Sequence, residues 1–296
     1  MRIVSLVPHA TELLFALGLG DDVVGVTHEC DYPEEALERR QVTRDVLPPG
    51  LSAPEIDAAV RERTLEGESI YELDEDALRE LEPDLIVTQA LCHVCAVSHE
   101  EVQALAVRLP GPPRVVSLDP KTYGETLSDV RTIAQATDSK DAALDLIART
   151  ARRADVVRLA VRDVRRPRVA ALEWLDPVFV AGHWTPQLIE MAGGDDALGF
   201  AGEPSAKSDW ELVAAAQPEI VVLMQCGYDA ERSRAEGAQY AGRLREVGAA
   251  RVVAVNASAY FSRPGPRLID GVELLAHILH PDRVRTAPAE ALVVEL

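Results

Sequence analysis

The sequence predicts an α/β protein of two Rossmann-like lobes, each a parallel sheet flanked by helices, joined by one long helix. Three observations carry that expectation. Short apolar runs alternate with helical periodicity over the first 120 residues, strand signals vanish between Tyr123 and Arg165, and a second strand-helix series opens at Arg168. A chain of 296 residues also exceeds the usual size of one domain. The expected division is an N-terminal lobe over residues 1–122, connecting helices over 123–166 and a C-terminal lobe over 167–296.

Residues 3–7, 23–26, 85–87 and 114–118 read as strands because each is a short valine- and isoleucine-rich run bounded by turn residues or helical patterns. Residues 10–17, 74–81 and 100–109 keep the helical period. Between Val46 and Leu73, Pro48-Pro49-Gly50 makes a turn, and Ser52 followed by Glu55 has the spacing of a capping box, so a capped helix is expected as an insertion. Residues 139–160 stay helical in pattern without glycine or proline, a rod of roughly 30 Å or more. Arg166-Pro167 stops it. Residues 168–172, 219–223 and 251–255 read as strands of the second lobe, and 266–279 as its last helix.

The net charge of −19, from 49 acidic against 30 basic residues, repels nucleic acid and anionic headgroups, which excludes both as partners. No stretch approaches the roughly 20 apolar residues that span a bilayer, so no membrane insertion is expected. The opening residues show no export signal and no lipid-acceptor cysteine. A cytoplasmic chain is therefore expected, extracytoplasmic only if the start is misassigned. In a reducing compartment, cysteines serve more often as thiols or metal ligands than as disulfides.

All four cysteines follow predicted strands: Cys30 after 22–27, Cys92 and Cys95 after 84–88, and Cys226 after 219–223. Ligands of open α/β sheets bind outside the carboxyl ends of the strands. His28 and His93 share two of these loops, and His183 closes a comparable segment beside Trp184. Cys92-His93-Val94-Cys95 lets two thiolates meet one metal or form a redox pair. Cys30, Cys92, Cys95 and Cys226 together would suit zinc or an iron–sulfur cluster, whereas a corrinoid cobalt needs a single axial imidazole or thiolate, with His28 the favoured imidazole. Buried structural cysteines are the plainer alternative. Glu173, Trp174 and Asp176 end a strand and suit either ligand amides or ordinary loop polarity. Arg263 and Arg267 flank a helix start and suit either anionic ligand groups or acidic neighbours. No catalytic residues are assigned, since no nucleophile triad, carboxylate pair or nucleotide loop occurs.

Several segments carry a family likeness. Arg2-Ile-Val-Ser-Leu-Val-Pro-His-Ala-Thr-Glu-Leu-Leu-Phe-Ala-Leu-Gly18, Asp31-Tyr-Pro33, Leu81-Glu-Pro-Asp-Leu-Ile-Val87, Met191-Ala-Gly-Gly194 and Tyr260-Phe-Ser-Arg-Pro-Gly-Pro-Arg-Leu268 resemble the ABC-importer binding proteins for vitamin B12, iron-siderophores and haem. The likeness extends from residue 2 to about 282. It implies two lobes bridged by a rigid helix, a metal-containing ligand such as cobalamin clasped in the cleft between them, and an ABC transporter permease as partner. Tyr32, Trp184, Tyr260 and Phe261 fall at its aromatic ligand positions, where flat rings suit a corrin. Asp76 and Glu211 fall at its acidic docking positions; both also suit a helix amino terminus, which favours acids.

Overall fold

The computed structural model describes residues 1–48, 50–51, 53–65, 69–90 and 99–295. The chain divides into two compact units, one of residues 1–120 and 125–147, the other of residues 121–124 and 148–296.

The first unit carries strands β1 (Ile3–Ser5), β2 (Val23–Val26), β3 (Arg40–Gln41), β4 (Thr43–Asp45), β5 (Tyr71–Leu73), β6 (Leu85–Gln89) and β7 (Arg114–Leu118). Its main sheet has the order β3-β2-β1-β6-β7, with every pair parallel. A parallel sheet is covered on both faces, which is why its strands read as continuous apolar runs; all five residues of β6 are buried. Helix α1 (Pro8–Ala16) packs Ala10, Leu13 and Leu14 against Ile3, Val23, Leu85 and Val87. Val4, Leu6 and Ile86 face the other way, toward Leu78, Val102 and Leu105. The expected start of this helix at residue 10 moves to Pro8, whose missing N–H costs nothing in a first turn. Gly25 sits within a strand because a Cβ there would meet Leu81 Cδ1 at 2.8 Å.

The insertion is a short antiparallel ribbon, β4 against β5, with helix α2 (Ala53–Leu65) in the connection; Ser52 lies outside the described residues. Helix α3 (Glu75–Leu81) is capped by Asp74, which accepts from Ala77 N at 2.9 Å. Helix α4 (His99–Ala106) follows β6, and α5 (Tyr123–Thr137) follows β7. Asp138, at φ 56, then breaks the chain before α6 (Lys140–Ala160), within which the division between the units falls.

In the second unit are β8 (Arg168–Leu175), β9 (Val178–Val180), β10 (Asp195–Asp196), β11 (Ala206–Lys207), β12 (Ile220–Leu223), β13 (Arg251–Ala254) and β14 (Leu292–Val293). They pair in the order β11-β9-β8-β12-β13-β14, with β10 also on β8. The central β8-β12-β13 pairs are parallel, while β9 turns back on β8 as a hairpin. Helices α7 (Thr185–Met191), α8 (Trp210–Ala215), α9 (Ala230–Gln239), α10 (Ala241–Val247), α11 (Ala257–Tyr260) and α12 (Leu268–Leu279) complete it. Gly237 lets α9 lie against Leu223, which a Cβ would overlap. Arg153 of α6 joins α12 by pairing with Asp270 at 2.6 Å and with both oxygens of Glu273 at 2.8 and 2.7 Å.

Candidate functional site

Each sheet has one place where successive connections leave in opposite directions, and a crevice opens there at the carboxyl ends of the strands. In the first unit it lies between β1 and β6, and in the second between β8 and β12.

At the first unit's carboxyl edge the loop after β2 is fastened on both sides. Cys30 is 2% exposed, and its Sγ lies 3.1 Å from both Thr11 Oγ1 and Thr27 Oγ1. Thr11 also donates to Ser5 Oγ at 2.8 Å. Cys30 thus packs in the core with Ile3, Val26 and Leu85. His28 holds Thr43 Oγ1 through both its backbone N–H, at 3.1 Å, and Nδ1, at 2.8 Å. Its ring lies 5.4 Å from that of Tyr71, whose hydroxyl donates to Glu29 at 3.1 Å. A bond at Nδ1 is how metal-ligating histidines are oriented; it equally anchors this loop to the β4–β5 ribbon. Tyr32, two residues past Cys30, is 47% exposed. Cys92, His93 and Cys95 lie outside the described residues. Near the end of β7, burial above all, then the charges of Asp119 and Glu125, push the Asp129 carboxyl up to about 7.

At the second unit's edge several loops meet. The β8–β9 register runs Leu172↔Val180 and then Trp174↔Phe179, so Glu173 is the extra residue of a β-bulge. Its backbone oxygen accepts from Cys226 N at 3.3 Å, joining the ends of β8 and β12. Burial pushes its carboxyl up to about 7, against the lowering influence of the Ser205 hydroxyl. Ser205 Oγ in turn accepts from Gly182 N at 3.2 Å. His183 is held at φ 50, a left-handed conformation unusual outside glycine. Two backbone bonds enforce it, His183 N to Glu203 O at 2.6 Å and Gly202 N to His183 O at 2.8 Å. Such over-determined strain is characteristic of ligand-contacting segments.

Cys226 is exposed, and Gly227 N donates to Ser262 Oγ at 3.4 Å. Half-buried Trp174 meets Tyr228 edge-on at 5.8 Å, and the Arg232 guanidinium lies 3.6 Å from the Tyr228 ring centre. Tyr260 and Arg263 are half-buried, and Arg267 stands 5.9 Å over the Tyr260 ring. Trp184 and Phe261 are not displayed aromatic faces: they are 6% and 3% exposed, and Trp184 Nε1 donates to Phe261 O at 2.7 Å. That bond ties α7 to the loop after α11.

Among the described residues, no group of three or more histidine, cysteine or acidic side chains is placed to hold a metal ion. Nothing described therefore supports the zinc or iron–sulfur alternative. Asp76 and Glu211 occupy the first turns of α3 and α8; the Asp76 side chain is 90% exposed and pairs with Arg79 at 2.8 Å. Sequence reasoning missed Ser205, Gln225 and Tyr228. Gln225 is wholly buried just beyond β12, and its amide finds no hydrogen-bond partner among the described residues. The signal for Gln225 and Tyr228 was the Cys226-Gly227 turn between them, whereas Ser205 reaches Glu173 only through the fold.

Residues 3–244 match the family described as periplasmic binding protein. The vitamin B12-binding protein of Vibrio cholerae serotype O1 is 25% identical over 291 residues, covering 92% of this chain and 86% of that protein. Among solved structures, the periplasmic vitamin B12 binding protein of Vibrio cholerae superposes with a TM-score of 0.67 at 23% identity, over 94% of this chain and 96% of the other. A periplasmic heme binding protein from Pseudomonas aeruginosa gives 0.73 at 18% identity, over 100% and 98%. These findings overturn the expectation of a cytoplasmic chain, which rested on the opening residues alone. No helix among the described residues is long and apolar enough to cross a membrane.

Proposed function

The chain belongs to the periplasmic binding protein family, and we propose that it is the cobalamin- or corrinoid-binding component of an ABC importer. The observation that carries this reading is the likeness to a vitamin B12-binding protein along 92% of the chain. The side chains displayed at the strand ends support it. Tyr32 of the first unit and Trp174, His183, Tyr260 and Arg263 of the second are the proposed contacts, with aromatic rings against the macrocycle and polar groups at its edge. The metal contact is assigned to an imidazole or thiolate, His28 through Nε2 or the exposed Cys226. Asp76 and Glu211 are the proposed points of contact with arginines of a permease; salt would weaken that docking.

The test is titration with hydroxocobalamin, followed by calorimetry and by the visible spectrum. Saturable one-to-one binding with a displaced cobalt absorption band is expected. Absence of both heat and spectral change contradicts the reading.

A further inference from the structure

We infer that Glu173 is the specificity-determining residue of this site: it accepts a hydrogen bond from a carboxamide N–H on the ligand's rim and turns away tetrapyrroles that carry carboxylates. The inference rests on the proposed corrinoid function and extends it to the choice among ligands. Corrinoids and haem share a flat metal macrocycle, so stacked aromatic rings discriminate poorly between them. Their edges differ in charge, because a corrinoid carries carboxamides and haem carries two ionised propionates.

Glu173 stands where that difference can be read. It is the bulged residue at the end of β8, a feature that re-aims a side chain and is common beside binding sites. Through Cys226 it joins the two strands that flank the unit's crevice. The residue as a whole is partly exposed there, while its carboxyl is desolvated.

The partners around it leave acceptor capacity to spare. A carboxylate has about four lone-pair sites, while the Ser205 hydroxyl carries a single proton and already accepts from Gly182 N. Among the described residues, burial and Ser205 are the influences acting on the Glu173 carboxyl, and no arginine or lysine compensates it. A desolvated acceptor without a cation welcomes an N–H donor and opposes a second carboxylate, a juxtaposition that discriminates strongly between ligands. A site built for propionates would place arginine here.

The experiment measures dissociation constants for cyanocobalamin and for hemin at about pH 8.5, where the Glu173 carboxyl is ionised, with the wild-type chain, Glu173→Gln and Ser205→Ala. Glu173→Gln keeps the shape and an acceptor but removes the charge. The wild type is expected to prefer cyanocobalamin, and Glu173→Gln to shift the ratio of the two constants toward hemin by about tenfold or more. Ser205→Ala keeps the charge and should hold the wild-type preference, even if both affinities fall together. An unchanged ratio in Glu173→Gln, or a wild type that prefers hemin, overturns the assignment while leaving a tetrapyrrole-binding function standing. A wild type that binds neither ligand overturns the functional reading and this inference with it.

Discussion

The two units use the same architecture, yet their carboxyl edges differ in what they do with similar residues. In the first unit the loop after β2 spends its chemistry internally: Cys30 lies between two threonine hydroxyls, His28 grips Thr43, and Glu29 accepts from Tyr71. In the second, the loops after β8 and β12 meet each other and display Cys226, half of Trp174 and part of Glu173. The difference arises from the β4–β5 ribbon, which comes up beside the first loop and occupies its polar atoms. A strand-end position brings a residue to the right region, and the neighbouring elements decide whether it remains displayed to solvent.

The largest expected effect compares the two raised carboxyls. Asp129 and Glu173 titrate near 7 in the folded chain, above their ordinary values of 3.8 and 4.5. Below those ordinary values both groups are protonated in the folded and unfolded chain alike, and burial costs nothing. As pH rises toward 7 the unfolded chain ionises first, so folding loses stability, and the loss is complete above 7. Asp129→Asn and Glu173→Gln should each remove about 3–4 kcal/mol of this decline between pH 4 and 8, read as a smaller pH dependence of the urea midpoint. A decline that persists in both variants breaks the symmetry drawn here.

Tyr260→Ala sharpens the contrast on the ligand side, with an expected loss of about 1.5–2 kcal/mol in hydroxocobalamin affinity by calorimetry. Cys30→Ala should do the opposite: affinity stays put while folding stability falls by about 1–2 kcal/mol, because a packed thiol and its hydroxyl contacts are lost. A change in the bound cobalt spectrum of that variant would mark Cys30 as a ligand. His28→Ala is expected to cost about 1 kcal/mol of stability through the lost Thr43 bond; a spectral shift in the bound state would identify it as the axial group as well. Smallest of all, Asp76→Ala paired with Glu211→Ala should change stability by only about 0.5 kcal/mol and leave ligand affinity alone, yet lower transport in reconstituted vesicles.

Much of the parallel framework was legible because β12 and the first three residues of β6 are unbroken apolar runs, and because Asp74 and Pro167 punctuate helices. The brief strands β3, β10, β11 and β14, two residues each, are set by neighbours distant in sequence and carry no periodicity of their own. The site divides along the same line. Loop position at strand ends is local and was readable, whereas the burial of Cys30 depends on Thr11, and that of Trp184 on Phe261, 77 residues away. The proposed ligand class came from residue likeness rather than from any spacing of metal ligands.

The most direct measurement follows from the contrast between the edges: calorimetric titration of hydroxocobalamin into the wild type, Cys30→Ala and Tyr260→Ala under one buffer. The expected result is one saturable site in the wild type, unchanged affinity in Cys30→Ala and at least about tenfold weaker binding in Tyr260→Ala. Weakened binding in Cys30→Ala with Tyr260→Ala unaffected, or no binding by any of the three, would contradict the account.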